Sequence, residues 1–237
     1  MNSLPEISAL EPGRVHIWYI SLAPEPAGIH SLQEILSDAE QERAARFIHK
    51  KDLERWVTAH ISLRLILSQY LQQAPETISF TEGPFGKPEL QSPASTLQFN
   101  LSYCGNGAVL AVADNTPVGI DVQNMPVSFE KNLQPWIASQ VEGEWLVSLP
   151  DDSLRLKLLQ LWVRKEALLK AAGTGLSVEP SSITLPDQPP PLLLTFMDSS
   201  GQSFLWSIYD LDEEDDPMVC LAARGEQHSI QQHRWSI

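Results

Sequence analysis

The chain has 237 residues, 43% of them hydrophobic, which supplies a full core and excludes a disordered segment. Against 30 Asp and Glu stand only 16 Lys and Arg, and this net charge of −14 excludes a general nucleic-acid binder, which needs a basic face. No apolar run is long enough for a membrane span, no secretory signal opens the chain, and Cys104 and Cys220 make no disulfide framework, so a reduced, cytoplasmic setting is expected.

Val15 to Leu22 reads as a strand that is apolar on both faces and therefore well buried. Ser31 with Glu34, and Ser37 with Glu40, have capping-box spacing. The second pair is the preferred start of a helix reaching about Phe47. A longer helix follows from about Lys51 to Leu71, with Leu53, Val57, His60, Arg64, Leu67 and Leu71 on one stripe. From Ile78 the pattern changes to short strands. Gly83, Pro84, Gly86 and Pro88 mark a loop holding Phe85 and Lys87. Phe99–Tyr103, Ala108–Ala113 and Val118–Val122, joined at Asn106-Gly107 and Asp114–Pro117, read as a three-stranded meander.

The second half again places helices first. Ser139 and Glu142 form a capping box for a helix to Leu149, and a long helix runs from about Ser153 to Ala172, stopped by Gly173 and Gly175. Strands are expected near 183–185, 192–196, 203–209 and 218–223. The acidic run Asp212–Asp216 reads as a solvated hairpin loop. The fold class is α+β, as two lobes, 1–117 and 118–237, with a cleft between them.

Three features carry chemistry. Asp121 sits in the otherwise apolar strand Val118–Val122, where a buried carboxylate needs a cation, a metal or several donors; a structural salt bridge remains the alternative. Trp162, Glu166 and Lys170 share a helical face that could hold a metal and a phosphate, or could be an ordinary surface pair. Arg43, Arg46, Lys50, Lys51, Arg55 and Arg64 crowd into one stretch of an acidic chain, as a polyanion site or a mixed helix surface. A Mg²⁺-bound phosphorylated substrate would satisfy all three. Phosphate-loop, dinucleotide and serine-hydrolase motifs are absent, and the six histidines have no zinc spacing.

Phe85-Gly86-Lys87-Pro88, Phe99-Asn100-Leu101-Ser102, Gly119-Ile120-Asp121 and the run Trp162 to Lys170 with Gly173–Leu176 stand in an order that resembles the 4′-phosphopantetheinyl transferases of the two-lobed Sfp type. The resemblance covers about residues 15 to 223. It implies pseudo-two-fold lobes and Mg²⁺-dependent transfer of phosphopantetheine from coenzyme A to a serine of an acyl or peptidyl carrier, releasing 3′,5′-ADP. It implies that Asp121 and Glu166 hold Mg²⁺, that Lys170 contacts the phosphate, and that Arg55, Lys87 and Arg43 take the nucleotide end, with Ser102 beside it. Tyr103 stands where the family pattern has His, and Gln123 where many members have a second acid, still able to ligate through its amide oxygen.

Weaker coenzyme A binding and altered metal affinity are expected from those two departures. The like charge of acidic fatty-acid carriers favours a carrier of a peptide or polyketide synthase, and hence secondary metabolite biosynthesis. The site fits within one chain, so a monomer is expected. Two other readings stay open: a coenzyme A-binding module without catalysis, and an interaction protein whose Glu166–Lys170 pair is only a surface bridge.

Overall fold

In the computed structural model, residues 10–23, 34–91, 95–124, 133–211 and 217–237 are described. Ser31 and the acidic run 212–216 lie outside them. Among these residues ten strands and five α-helices follow in chain order: β1 (Arg14–Ser21), α1 (Asp38–Ala44), α2 (Lys50–Leu71), β2 (Phe80–Glu82), β3 (Pro88–Leu90), β4 (Leu97–Cys104), β5 (Gly107–Asp114), β6 (Val118–Gln123), α3 (Gln134–Ile137), α4 (Gln140–Leu146), α5 (Asp151–Ala172), β7 (Leu192–Met197), β8 (Ser203–Asp210), β9 (Met218–Arg224) and β10 (Ser229–Trp235). The class is α+β, as expected.

Two four-stranded sheets, β10-β1-β5-β4 and β6-β9-β8-β7, pack face to face. Strand alternation assigns the faces. Val15 and Ile17 of β1, Val109 and Ala111 of β5, Val118 and Ile120 of β6 and Leu221 of β9 fill the space between the sheets. Trp18, Ile20, Leu110 and Val112 point the other way and bury against Leu63, Ile66 and Leu67 of α2. Cys220 and Ala222 bury against Leu158, Leu161 and Leu168 of α5. The layers therefore run α2, sheet, sheet, α5.

Three expectations need correction. β4 and β5 form the hairpin, but β6 does not complete a meander; it leaves after Pro117 and pairs with β9 in the other sheet. Residues 183–185 form no strand, because the Leu185 N–H is taken by Glu142 Oε1 at 2.9 Å and the Ile183 N–H by the Pro180 carbonyl. The strand β10, parallel to β1, was not expected, and it returns the chain's end to the first sheet. Its sequence, Ser-Ile-Gln-Gln-His-Arg-Trp, is too polar to advertise a strand.

One close approach sets the second sheet against its helix. A Cβ on Gly119 would lie 2.2 Å from both the Ala167 carbonyl oxygen and the Ala171 nitrogen. Only glycine lets β6 lie directly on the α5 backbone. The expected outcome for Gly119→Ala is a loss of more than about 2 kcal/mol in urea unfolding, because backbone has to move rather than a flexible side chain.

The first sheet's helices are tied by charge. Glu40, in the Ser37 capping box, meets His60 Nδ1 at 2.9 Å and Arg64 Nε at 2.8 Å. Arg64 is buried and also donates to the Pro75 and Ile78 carbonyls. Burial pushes the Glu40 carboxyl up, but hydrogen bonds from His60, Arg64 and the Ser37 N–H outweigh it and hold the pKa down at about 2. A depressed acid stabilises the fold above its unfolded value of 4.5 and loses that contribution as pH falls towards 2. Glu40→Gln should therefore cost on the order of 3 kcal/mol at neutral pH and almost nothing near the acid limit, read by urea titration at each pH.

Candidate active site

Asp121, Glu166 and Lys170 converge because of Gly119. The Ala167 and Ala171 contacts bring α5 down on β6, and the residues before them, Glu166 and Lys170, reach the strand two positions on, at Asp121. Lys170 Nζ donates to Asp121 Oδ1 at 2.5 Å and to Ser102 Oγ at 3.2 Å. Ser102 Oγ donates to the same Asp121 oxygen at 3.0 Å. Lys170 thus pairs with Asp121 on the strand, and the pair is no surface bridge along a helix.

Asp121 is only 2% exposed. Its Oδ2, and Oε1 of Glu166, are buried atoms with no hydrogen-bond partner. Burial raises the Glu166 pKa, the Lys170 ammonium opposes that rise, and the Asp121 charge adds to it. Two carboxylates, each with a buried oxygen left unused and held near one another, fit a hard divalent cation, which takes oxygen donors and needs only one or two from protein. Among the described residues no group of three His, Cys, Asp or Glu side chains gathers to hold a metal. Gln123 lies farther along β6 on the Asp121 face, with its Oε1 4.0 Å from Cys104 Sγ.

The nucleotide-binding candidates are placed differently from one another. Arg43 lies over the Trp56 ring at 5.7 Å and lines a groove of about 710 Å³. Tyr103, half exposed, lines the same groove with His60, Asn100 and Gly86. Arg55 donates to Asn106 Oδ1 at 2.7 Å, tying α2 to the β4–β5 turn. Lys87 points inward and donates to the Val118 carbonyl at 2.9 Å; burial lowers its pKa to about 8, with Glu89 opposing and Arg224 adding to the fall. Arg64 of the basic cluster is committed to Glu40 and backbone, so it is structural.

Sequence reasoning assigned no role to Asn100. Its Oδ1 accepts the Ile120 N–H at 2.8 Å, one residue before Asp121. Its place two residues before Ser102, on the same strand face, was the available signal.

Residues 21–115 match the family model described as 4′-phosphopantetheinyl transferase, N-terminal, and residues 117–222 match that of the 4′-phosphopantetheinyl transferase superfamily. The 4′-phosphopantetheinyl transferase HetI of Nostoc sp. is 33% identical over 215 residues, which is 89% of this chain and 88% of that protein. A putative 4′-phosphopantetheinyl transferase of Synechocystis sp., slr0495, is 33% identical over 151 residues, or 63% of this chain and 61% of that one. Sfp of Bacillus subtilis is 27% identical over 189 residues, covering 79% and 82%. The chain belongs to the 4′-phosphopantetheinyl transferase family.

The raised Glu166 carboxyl has a consequence for the cation-free protein. An acid whose folded pKa is raised costs stability once pH climbs above its ordinary value of 4.5. Glu166→Gln should raise the melting temperature measured in EDTA at neutral pH. The gain should vanish below the ordinary carboxylate range, as read by thermal scans at both pH values.

Proposed function

We propose that this chain transfers the 4′-phosphopantetheine arm of coenzyme A to a serine of an acyl or peptidyl carrier, in a Mg²⁺-dependent reaction that releases 3′,5′-ADP. The observation that carries this reading is the pair of partnerless carboxylate oxygens on Asp121 and Glu166, buried beside the Lys170 ammonium in a chain of this family.

Asp121 and Glu166 would hold the metal, with the Gln123 amide as a further oxygen donor. When bound there, Mg²⁺ supplies charge neutralisation on the diphosphate. Lys170, in the last turn of α5 and partly open to solvent, offers its ammonium to the phosphate under attack. Ser102 holds Lys170 and Asp121 in register. Arg43 and Tyr103 take the nucleotide end through the groove they line, and Arg55 and Lys87 would join them once released from Asn106 and the Val118 carbonyl.

The bond formed joins the serine oxygen to the phosphorus on the pantetheine side. The bond broken joins that phosphorus to the bridging oxygen, which leaves with 3′,5′-ADP. Glu166, raised by burial, or a water held beside the acid pair would accept the serine proton. The reaction asks for no nucleophile from this chain. Cys220, the buried thiol, has its pKa pushed well up by burial and suits packing rather than attack.

The acids, the lysine and the groove all come from one chain, which supports a monomer. The expected carrier partner is cytoplasmic; among the described residues no helix is long and apolar enough to cross a membrane. The net charge of −14 favours carriers of peptide or polyketide synthases over strongly acidic ones.

The test is the intact mass of an apo-carrier domain after incubation with the protein, coenzyme A and MgCl₂. The expected result is a gain of one phosphopantetheine group, lost on chelation and slowed at least about 100-fold in Glu166→Ala. Coenzyme A bound with no carrier modified would replace this reading with a binding module, which Tyr103 in place of a histidine favours.

A further inference from the structure

The strand β6 is an edge of its sheet, since β9 pairs with it on one side only. Such an edge leaves alternate N–H and C=O groups without ladder partners. The Arg224 N–H bonds to the Pro117 carbonyl, so residues 117, 119 and 121 face β9, and 118, 120 and 122 face outwards.

Among the described residues no strand pairs with that outer edge over 118–120, yet it is not bare. Lys87 Nζ donates to the Val118 carbonyl at 2.9 Å, and Asn100 Oδ1 accepts the Ile120 N–H at 2.8 Å. Two residues after Asn100, Ser102 bonds to Asp121 itself. Asn100 and Ser102 lie on the face of β4 opposite Leu97, Phe99 and Leu101, which pack with the α2 core. The first sheet thus grips β6 through side chains, at consecutive residues 120 and 121.

We propose that Asn100 is a positioning residue for the acid pair: its side-chain oxygen stands in for a missing strand and fixes β6 where Asp121 meets Glu166 and Lys170. This rests on the functional reading above. Asn100 touches the groove wall, but its acceptor is committed to the backbone. Without that acceptor the buried Ile120 N–H loses its partner, and the strand next to Asp121 is free to shift. Residues that orient a ligating side chain from behind typically change metal affinity or activity by about 10–100-fold when removed.

The experiment compares Asn100→Leu, which keeps bulk and loses the acceptor, with Asn100→Asp, which keeps an oxygen there. In wild type, hydrogen exchange at the Ile120 amide should be as slow as in the core of β9. In Asn100→Leu that amide should exchange at least about tenfold faster, and the MgCl₂ concentration giving half-maximal thermal stabilisation should rise about tenfold. Turnover on an apo-carrier should fall about 10–100-fold with KM for coenzyme A within about threefold of wild type. Asn100→Asp should restore the MgCl₂ midpoint to within about threefold.

A wild-type Ile120 amide that exchanges like an open strand edge overturns the proposal, and this measurement stands even if Asn100→Leu fails to fold. So does an Asn100→Leu protein that melts earlier yet keeps the wild-type MgCl₂ midpoint and turnover, or an Asn100→Asp protein no better than Asn100→Leu. Failure of the functional reading looks different: the wild type itself would modify no carrier.

Discussion

The architecture of the site depends on one backbone-to-backbone contact, that of Gly119 with α5. A helix normally stands off a sheet by the depth of its side chains. Here Ala167 and Ala171 meet a strand position with no side chain at all. The reduced spacing lets side chains bridge helix and strand directly. Lys170 reaches Asp121 at 2.5 Å, and Glu166 comes close enough for the Asp121 charge to raise it further. A larger spacing would let water between the two acids and remove most of their mutual influence. The site's electrostatics are therefore a packing property, set by a glycine and two alanines that carry no charge.

The same device holds both long helices in place. In the first half, the capping-box Glu40 of α1 accepts from Arg64 of α2, whose other donors go to the Pro75 and Ile78 carbonyls. In the second half, the capping-box Glu142 of α4 accepts from Lys165 of α5 at 2.5 Å, and Lys165 also donates to the Ile137 carbonyl at 2.7 Å. Arg64, Glu142 and Lys165 are buried, Glu40 is partly so, and each acid keeps its helix cap. Burying such charges is tolerable only when donors beyond the ion pair also find oxygens, and the loop carbonyls of Pro75, Ile78 and Ile137 supply them. Lys165 precedes Glu166, so the pin on the far side of α5 sets the rotation that turns Glu166 towards β6. The two sheets themselves differ, since the first contains a parallel pair and the second is wholly antiparallel.

Much of this was legible in the sequence because it is local. The capping boxes at Ser37 and Ser139 are spacing signals, and both form as read. The hairpin at Asn106-Gly107 and the glycine stop after α5 are likewise short-range. Asp121 announced itself as a charge in an apolar strand. What the sequence hid was non-local. A meander of β4, β5 and β6 and a crossing of β6 into another sheet have the same strand pattern; only the partner β9, about a hundred residues later, decides between them. The cationic cluster around α2 read as one feature, yet burial splits it: Arg64 is structural, while Arg43 lines a groove. Helical spacing could not separate them, because both fates suit an arginine with a long apolar stem.

Lys170 satisfies only part of the charge at the acid pair. Its ammonium neutralises Asp121 Oδ1 and leaves Oδ2 without a partner, so the acid is half satisfied. Glu166, with no hydrogen bond at Oε1 and two charged neighbours of opposite sign, is held by its helix rather than by an ion pair. Full satisfaction would need another cation beside the acids, and a lysine relieved of Asp121 would then need an anion. The unfinished pairing on one side of the pair thus calls for both charges at once. On the proposed reading, a phosphorylated ligand that arrives with its own metal would meet that demand, whereas either charge alone would leave one group without its counterpart.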